Sequence, residues 1–245
     1  MSTFVLVPGF WLGGWAWDGV AVPLRAAGHD VHAVTLTGLG DLAHLGTPAT
    51  NVDTHVEDIV AMITGRDLCD VVLVAHSGGG VAATGAAGRV AGRIASIVYL
   101  DSGPLADGVA QLDLYPPEGR AYVEAHLTDG WRYEPPTWEE QETLGASTLG
   151  LTERDKAAIA ARMTPQPYGT LTQAARGAEE AAKLPKTLVA CSFSLEDVRG
   201  LIEGGHPMFA ALTGPEWTFL ELPTGHWPMF SRPEDVAALL DSFTK

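Results

Sequence analysis

Val71-Val72-Leu73-Val74-Ala75-His76-Ser77-Gly78-Gly79-Gly80 joins an unbroken apolar run to a serine followed by three glycines. Consecutive apolar residues rich in valine fit a strand covered on both faces, because a strand with a wet side alternates apolar and polar positions. This strand runs without a spacer into a serine and three glycines, and then into Val81 to Gly88, a helical segment of small residues. Strand, sharp turn and helix in that order form a nucleophile elbow, which strains the serine backbone and lifts its hydroxyl clear of the sheet. Strand and helix approach closely at the bend, so the neighbours must be small. The pattern usually opens on glycine; here it opens on Ala75, which is still small.

Outward from the elbow, similar runs recur at Phe4 to Pro8, Val31 to Leu36, Ile94 to Leu100, Thr187 to Cys191 and Trp217 to Leu222. Helical patterns fill the intervals at Trp15 to Ala27, Asp53 to Ile63, Gly79 to Val90, Leu195 to Leu212 and Pro233 to Phe243. The alternation predicts an α/β fold: a mostly parallel central sheet of about six strands, with helices on both faces. From 105 to 184 the alternation stops, and prolines, acidic residues and aromatics such as Tyr115, Trp131, Tyr133 and Trp138 take over. Thr152 to Met163 and Gly169 to Lys183 keep helical patterning, so 105–184 reads as a mostly helical cap inserted after the strand ending at Asp101. Residues 1–104 and 185–245 then form the core.

Nearly half of the 245 residues are apolar, enough for one sizeable core. The formal charge of −15 repels phosphate backbones and anionic lipid surfaces, which argues against nucleic acid as a partner. No run reaches the roughly 18 apolar residues of a membrane span, and Met1 to Val5 has no signal-peptide pattern, so a cytoplasmic protein without a membrane partner is expected. Cys69 and Cys191 sit at or inside apolar runs and read as small buried thiols. No metal or organic cofactor is implied, and the chain is expected to be a monomer or homodimer.

A serine hydroxyl is a poor nucleophile near neutral pH and needs a base within hydrogen-bond reach. Among eight histidines, His226 is best placed, in Leu222-Pro223-Thr224-Gly225-His226-Trp227-Pro228 after the last strand, where such sheets gather their sites. His76 adjoins the serine, but its side chain should point elsewhere; His29, His32, His44, His55, His126 and His206 lack convincing metal-ligand spacing and read as structural. An acid must orient the imidazole, and the order serine, acid, histidine restricts it to strand ends between 77 and 226. Asp101 is favoured, with Glu196 and Asp197 as the alternative. Oxyanion donors are expected from the backbone N–H groups of Gly78, after the nucleophile, and of Phe10, in the turn after the first strand. Trp11, Trp227 and Met229, with the cap aromatics, are expected to wall an apolar pocket.

With these residues placed, the chain resembles the α/β-hydrolase superfamily, and within it the compact group of plant methyl-esterases, hydroxynitrile lyases and bacterial esterases. The resemblance is carried by Val5-Leu6-Val7-Pro8-Gly9-Phe10-Trp11 with Gly14-Trp15-Ala16-Trp17, by Leu36-Thr37-Gly38-Leu39-Gly40, by the elbow, by Val98-Tyr99-Leu100-Asp101, and by Gly225-His226-Trp227-Pro228. Pro8 stands where the family commonly has histidine, and Ser194 where the group's usual aspartate follows the penultimate strand. Some haloalkane dehalogenases, similar at the preceding strand, carry their acid where Asp101 falls, which supports a relocated acid. The lyases place lysine after the histidine and a hydroxyl in the first turn; here Trp227 and Gly9 stand there, which weighs against cyanohydrin cleavage. The resemblance implies a serine-dependent hydrolase of a small, largely apolar carboxylic ester acting through an acyl-enzyme. The alternative is a non-hydrolytic small-molecule-binding or specialised tailoring member of the same fold.

Overall fold

Each apolar run of the core becomes a strand whose alternate side chains enter different layers. A computed structural model describes residues 1–205 and 212–243. The chain forms β1 (Thr3–Val7), α1 (Asp18–Ala26), β2 (Asp30–Ala33), α2 (Val52–Gly65), β3 (Val71–His76), α3 (Gly79–Arg89) and β4 (Ile94–Leu100). Next come α4 (Pro117–Ala125), β5 (Leu127–Thr128), β6 (Arg132–Tyr133), α5 (Trp138–Thr143), α6 (Glu153–Ala160), β7 (Gln166–Pro167), α7 (Gly169–Thr172) and α8 (Ala178–Ala181). The chain then returns to the core as β8 (Lys186–Ala190), α9 (Leu195–Glu203), β9 (Trp217–Glu221), α10 (Pro228–Ser231) and α11 (Pro233–Asp241).

The main sheet has six strands in the order β2-β1-β3-β4-β8-β9, every pair parallel. Val5, Val7, Leu73, Ala75, Ile97, Tyr99 and Leu188 join one buried cluster with α2, α3 and α9. Their neighbours Phe4, Leu6, Val72, Val74, Val98, Leu100 and Val189 join a second with α1 and α11. This period-two division of continuously apolar strands is what a sheet covered on both faces requires. Burial of each large aliphatic or aromatic side chain contributes roughly 1.5–3 kcal/mol, so the two layers supply the main drive to fold.

The chain places β2 on one side of β1 and then returns to place β3 on the other. Diverging connections open a crevice at the carboxyl ends of β1 and β3. The register sets Val7 beside Ala75, so the turn after β1 lies next to the elbow after β3.

Some boundaries differ from the sequence reading. The run Val31 to Leu36 pairs with β1 only as far as Ala33, opposite Leu6, where Val34 N–H donates a last bond to Leu6 O at 2.9 Å; Val34 and Leu36 stay buried beyond the strand. The helix expected from Leu195 to Leu212 stops at Glu203, before Gly204 and Gly205; residues 206–211, including His206, lie outside the described residues. The segment 105–184 is less helical than expected. Gly169 to Lys183 breaks into α7 and α8 around Gly177, whose φ of 96° a helix interior does not accommodate, and β5, β6 and β7 form a three-stranded antiparallel sheet. Strands of two residues are too short to leave a periodicity. Cys69 is exposed, unlike Cys191, and neither forms a disulfide. Among the described residues no helix is long and apolar enough to cross a membrane.

Candidate active site

Ser77 sits between β3 and α3 with φ 49°, in the left-handed region that costs a non-glycine residue roughly 1–3 kcal/mol. Its surroundings hold it there: Ser77 N–H donates to Leu100 O at 3.4 Å, and Ser77 O accepts from Ser102 Oγ at 2.5 Å and from Gly80 N–H at 3.0 Å. Gly79 is required by a close approach, since a Cβ there would lie 2.3 Å from the Pro8 carbonyl oxygen. Absence of that carbon lets α3 begin directly behind the serine, with its positive dipole end toward the hydroxyl.

His226 Nε2 lies 2.8 Å from Ser77 Oγ, and His226 Nδ1 lies 2.6 Å from Asp101 Oδ2. Asp101, at the end of β4 with φ 47°, is 4% exposed. Its Oδ1 accepts the N–H groups of Cys191 (3.0 Å) and Ser192 (2.9 Å), and its Oδ2 also accepts Ser192 Oγ (2.6 Å). Burial pushes the carboxyl pKa up, but the hydrogen bonds from His226 and Ser192 and the nearby imidazole outweigh it and hold the group below its ordinary value. An ionised Asp101 keeps the proton on Nδ1 and leaves Nε2 free to accept from the serine. Ser192 carries no motif of its own in the sequence; its one signal is a hydroxyl just past β8, the strand beside β4. Ser194 caps α9, where its Oγ and the Asp197 carboxylate close a capping box, and Glu196 lies in the same exposed first turn. The structure therefore brings Asp101, and not Glu196 or Asp197, to the imidazole.

In the turn after β1, neither the Phe10 N–H nor, across the crevice, the Gly78 N–H is engaged by another group of the described residues. The next amide is not free: Trp11 N–H donates to Gln166 Oε1 at 3.0 Å, Trp11 O accepts from Thr164 N–H at 3.0 Å, and Trp11 Nε1 donates to Tyr133 O at 3.2 Å. These bonds hold Trp11 at φ 64° and tie the turn to β6 and β7. Phe10 and Gly78 thus remain as two donors beside Ser77.

Two cavities meet at the serine. The larger, about 570 Å³, is walled by Phe10, Trp11, Tyr115, Tyr122, Tyr133 and Trp227 among others. The smaller, about 230 Å³, is walled by Leu105, Leu114, Leu188 and Phe193; Ser77, Gln111 and His226 border both. Burial raises the pKa of all three tyrosines, that of Tyr122 to about 12 with help from the Glu140 carboxylate, so the phenols face the cavity as neutral groups. Trp227 packs edge-on against His226 and Trp138, with ring centroids 5.0 Å away in each case. Met229, expected from the sequence to wall the pocket, borders neither cavity and is 1% exposed in the core layer beneath α1 and α11, because the short helix α10 turns it inward. Gln111 and Tyr122 gave no local signal in the cap sequence. No cluster of three or more metal-ligating side chains exists among the described residues.

Residues 4–239 match the model of the Alpha/beta hydrolase family. A carbendazim hydrolyzing esterase from Nocardioides sp. is 31% identical over 251 residues, covering 98% of each chain. Methylesterase 7 of Arabidopsis thaliana is 37% identical over 105 residues, 40% of this chain and 38% of that protein. Among solved structures, an extracellular alpha/beta-hydrolase from a Paenibacillus species superposes with a TM-score of 0.82 at 21% identity, over 99% of this chain and 98% of that one. The parallel sheet, the elbow and a match spanning almost the whole length place this chain in the alpha/beta hydrolase family, among relatives that are carboxylic ester hydrolases.

Proposed function

We propose that this chain is a serine esterase for small, largely apolar carboxylic esters, working through an acyl-enzyme. The observation that carries the reading is the unbroken hydrogen-bonded chain from Asp101 through His226 to Ser77, opening onto an aromatic cavity. Ser77 Oγ attacks the ester carbonyl while His226 Nε2 takes the hydroxyl proton and returns it to the departing alkoxide, releasing the alcohol. Water then loses a proton to His226 and attacks the acyl-serine, releasing the acid and restoring the hydroxyl. The carbonyl oxygen, negative in each tetrahedral intermediate, is received by the Phe10 and Gly78 N–H groups and the α3 dipole. Asp101 holds the imidazole tautomer and stabilises the imidazolium.

Full-length similarity to an esterase that hydrolyses carbendazim, and partial similarity to plant methylesterases, support ester hydrolysis. The cavity walls support an uncharged substrate, since neutral phenols, tryptophans and aliphatic groups reward apolar surface. Ser194 gives no reason to read a lost activity, because its role is a helix cap and the carboxylate comes from Asp101. The test is a panel of p-nitrophenyl esters of increasing acyl length, with wild type and Ser77→Ala side by side. Turnover in wild type that falls to the buffer rate in Ser77→Ala is expected; equal turnover in both refutes the serine mechanism.

A further inference from the structure

We propose that His76 is a positioning residue that fixes the loop of His226 through a hydrogen bond from its Nε2–H to the His226 backbone carbonyl. The inference rests on the serine-esterase reading for its kinetic consequence, but its geometry stands apart from it. His76 is 1% exposed, and its Nε2 lies 2.7 Å from His226 O. A carbonyl oxygen can only accept, so Nε2 carries the proton and the ring is a donor there.

The opposite nitrogen has no partner among the described residues. Nδ1 is buried and unsatisfied, and the ring covers Gly9, where a Cβ would come within 2.7 Å of Nδ1 and 3.2 Å of Cε1. Burial holds the imidazole neutral, with a pKa lowered to about 3 and the neighbouring His226 acting in the same direction. One imidazole therefore spans three segments: the elbow that carries it, the turn that presents Phe10, and the loop that presents His226. An unpaired buried acceptor is costly, and an apolar side chain would fill the same space without it. What the imidazole adds is its donor.

That donor completes the restraint of the general base. The N–H of His226 donates to Ser147 O at 2.7 Å, Nδ1 is held by Asp101 and Nε2 faces Ser77. The carbonyl is the remaining polar group, and His76 takes it. Without this bond the peptide between His226 and Trp227 can rotate, and the imidazole moves with it relative to Ser77.

His76→Gln and His76→Met test this. The two side chains have nearly the same length and volume, and the glutamine Nε2 lies as many bonds from the backbone as the histidine Nε2, so only one keeps the donor. A misplacement of about 1 Å costs on the order of 10²-fold in rate, so His76→Met should lose about that much in kcat with KM within about threefold of wild type. His76→Gln should recover to within about tenfold of wild type. Equal kcat in the two variants overturns the proposal.

A second readout needs no substrate. The low-field NMR resonance of the His226 Nδ1 proton, held by Asp101, should persist in His76→Gln and be shifted or lost in His76→Met. Identical spectra in both overturn the proposal even if the esterase reading fails, and a difference sustains it in that case. Should neither variant fold, nitrogen-15 NMR of the wild-type histidines at neutral pH decides. A neutral Nε2–H tautomer at His76 is expected, and an Nδ1–H or charged ring refutes the assignment.

Discussion

Asp101 and Asp197 both follow strands of the main sheet, yet only Asp101 reaches the imidazole. The difference lies in what surrounds each carboxylate: Asp101 is buried at a strand end among donors from Cys191, Ser192 and His226, whereas Asp197 turns back on Ser194 in an exposed first turn. Asp101→Asn should lower kcat by about 10⁴-fold, because a carboxamide can hold the wrong imidazole tautomer. The double variant Glu196→Gln, Asp197→Asn should keep kcat within a few fold, about what distant surface changes do; steady-state kinetics on one ester checks both. A second prediction concerns acid. His76, neutral to about pH 3 in the folded chain, ordinarily titrates near 6.5, so as pH falls the unfolded chain takes up the proton first. This contribution is complete above about pH 6.5 and has cost ~2 kcal/mol by pH 5; buried His55 acts in the same direction. Asp101 adds a later loss, below its ordinary 3.8, as pH falls through its depressed folded value. Urea denaturation at pH 8 and pH 5 should show the lower stability at pH 5, and His76→Gln should flatten the difference. At this scale Ser77 and His226 were legible because each sits at a turn with a marked local sequence. Ser192 and Met229 were not, since their roles depend on which strand lies alongside and which way a four-residue helix faces.

At the scale of elements, the strands of the core were readable because a parallel sheet leaves continuous apolar runs, and β4 begins and ends where its run does. The cap was readable only as an interruption. Its strands pair over two residues each, and its segments are joined across long separations in sequence, as in the Ala110 to Ala174 bridge. The start of α9 offers a direct test of an element against a chemical role. Ser194 occupies the place where the resemblance expects an acid, but its side chain accepts the Asp197 N–H and its own N–H is met by the Asp197 carboxylate. Ser194→Ala should lower Tm by roughly 2–4 °C, the expected effect of losing one N-cap in a domain of this size. Its kcat should not change, and calorimetry beside an ester assay separates the two effects.

For the molecule as a whole, charge and cavity favour the same substrate. The whole chain carries a formal charge of −15, and the larger cavity is walled mostly by uncharged side chains, many of them aromatic, with the Glu118 carboxylate as its one acidic lining group among the described residues, so an anionic ester meets both a repulsive field outside and a desolvation cost inside. Of two p-nitrophenyl esters matched in length, one ending in a methyl group and one in a carboxylate, the neutral ester should have the higher kcat/KM by at least about tenfold. Added salt should narrow the gap by screening the outer field. An acyl group passing through Ser77 can be detected as a covalent adduct. Wild-type protein quenched in acid during turnover of a p-nitrophenyl ester should carry the acyl mass on the peptide containing Ser77, and Ser77→Ala should carry none. Turnover without an adduct on that peptide, or an adduct on another residue that persists in Ser77→Ala, would rule out an acyl-enzyme at Ser77.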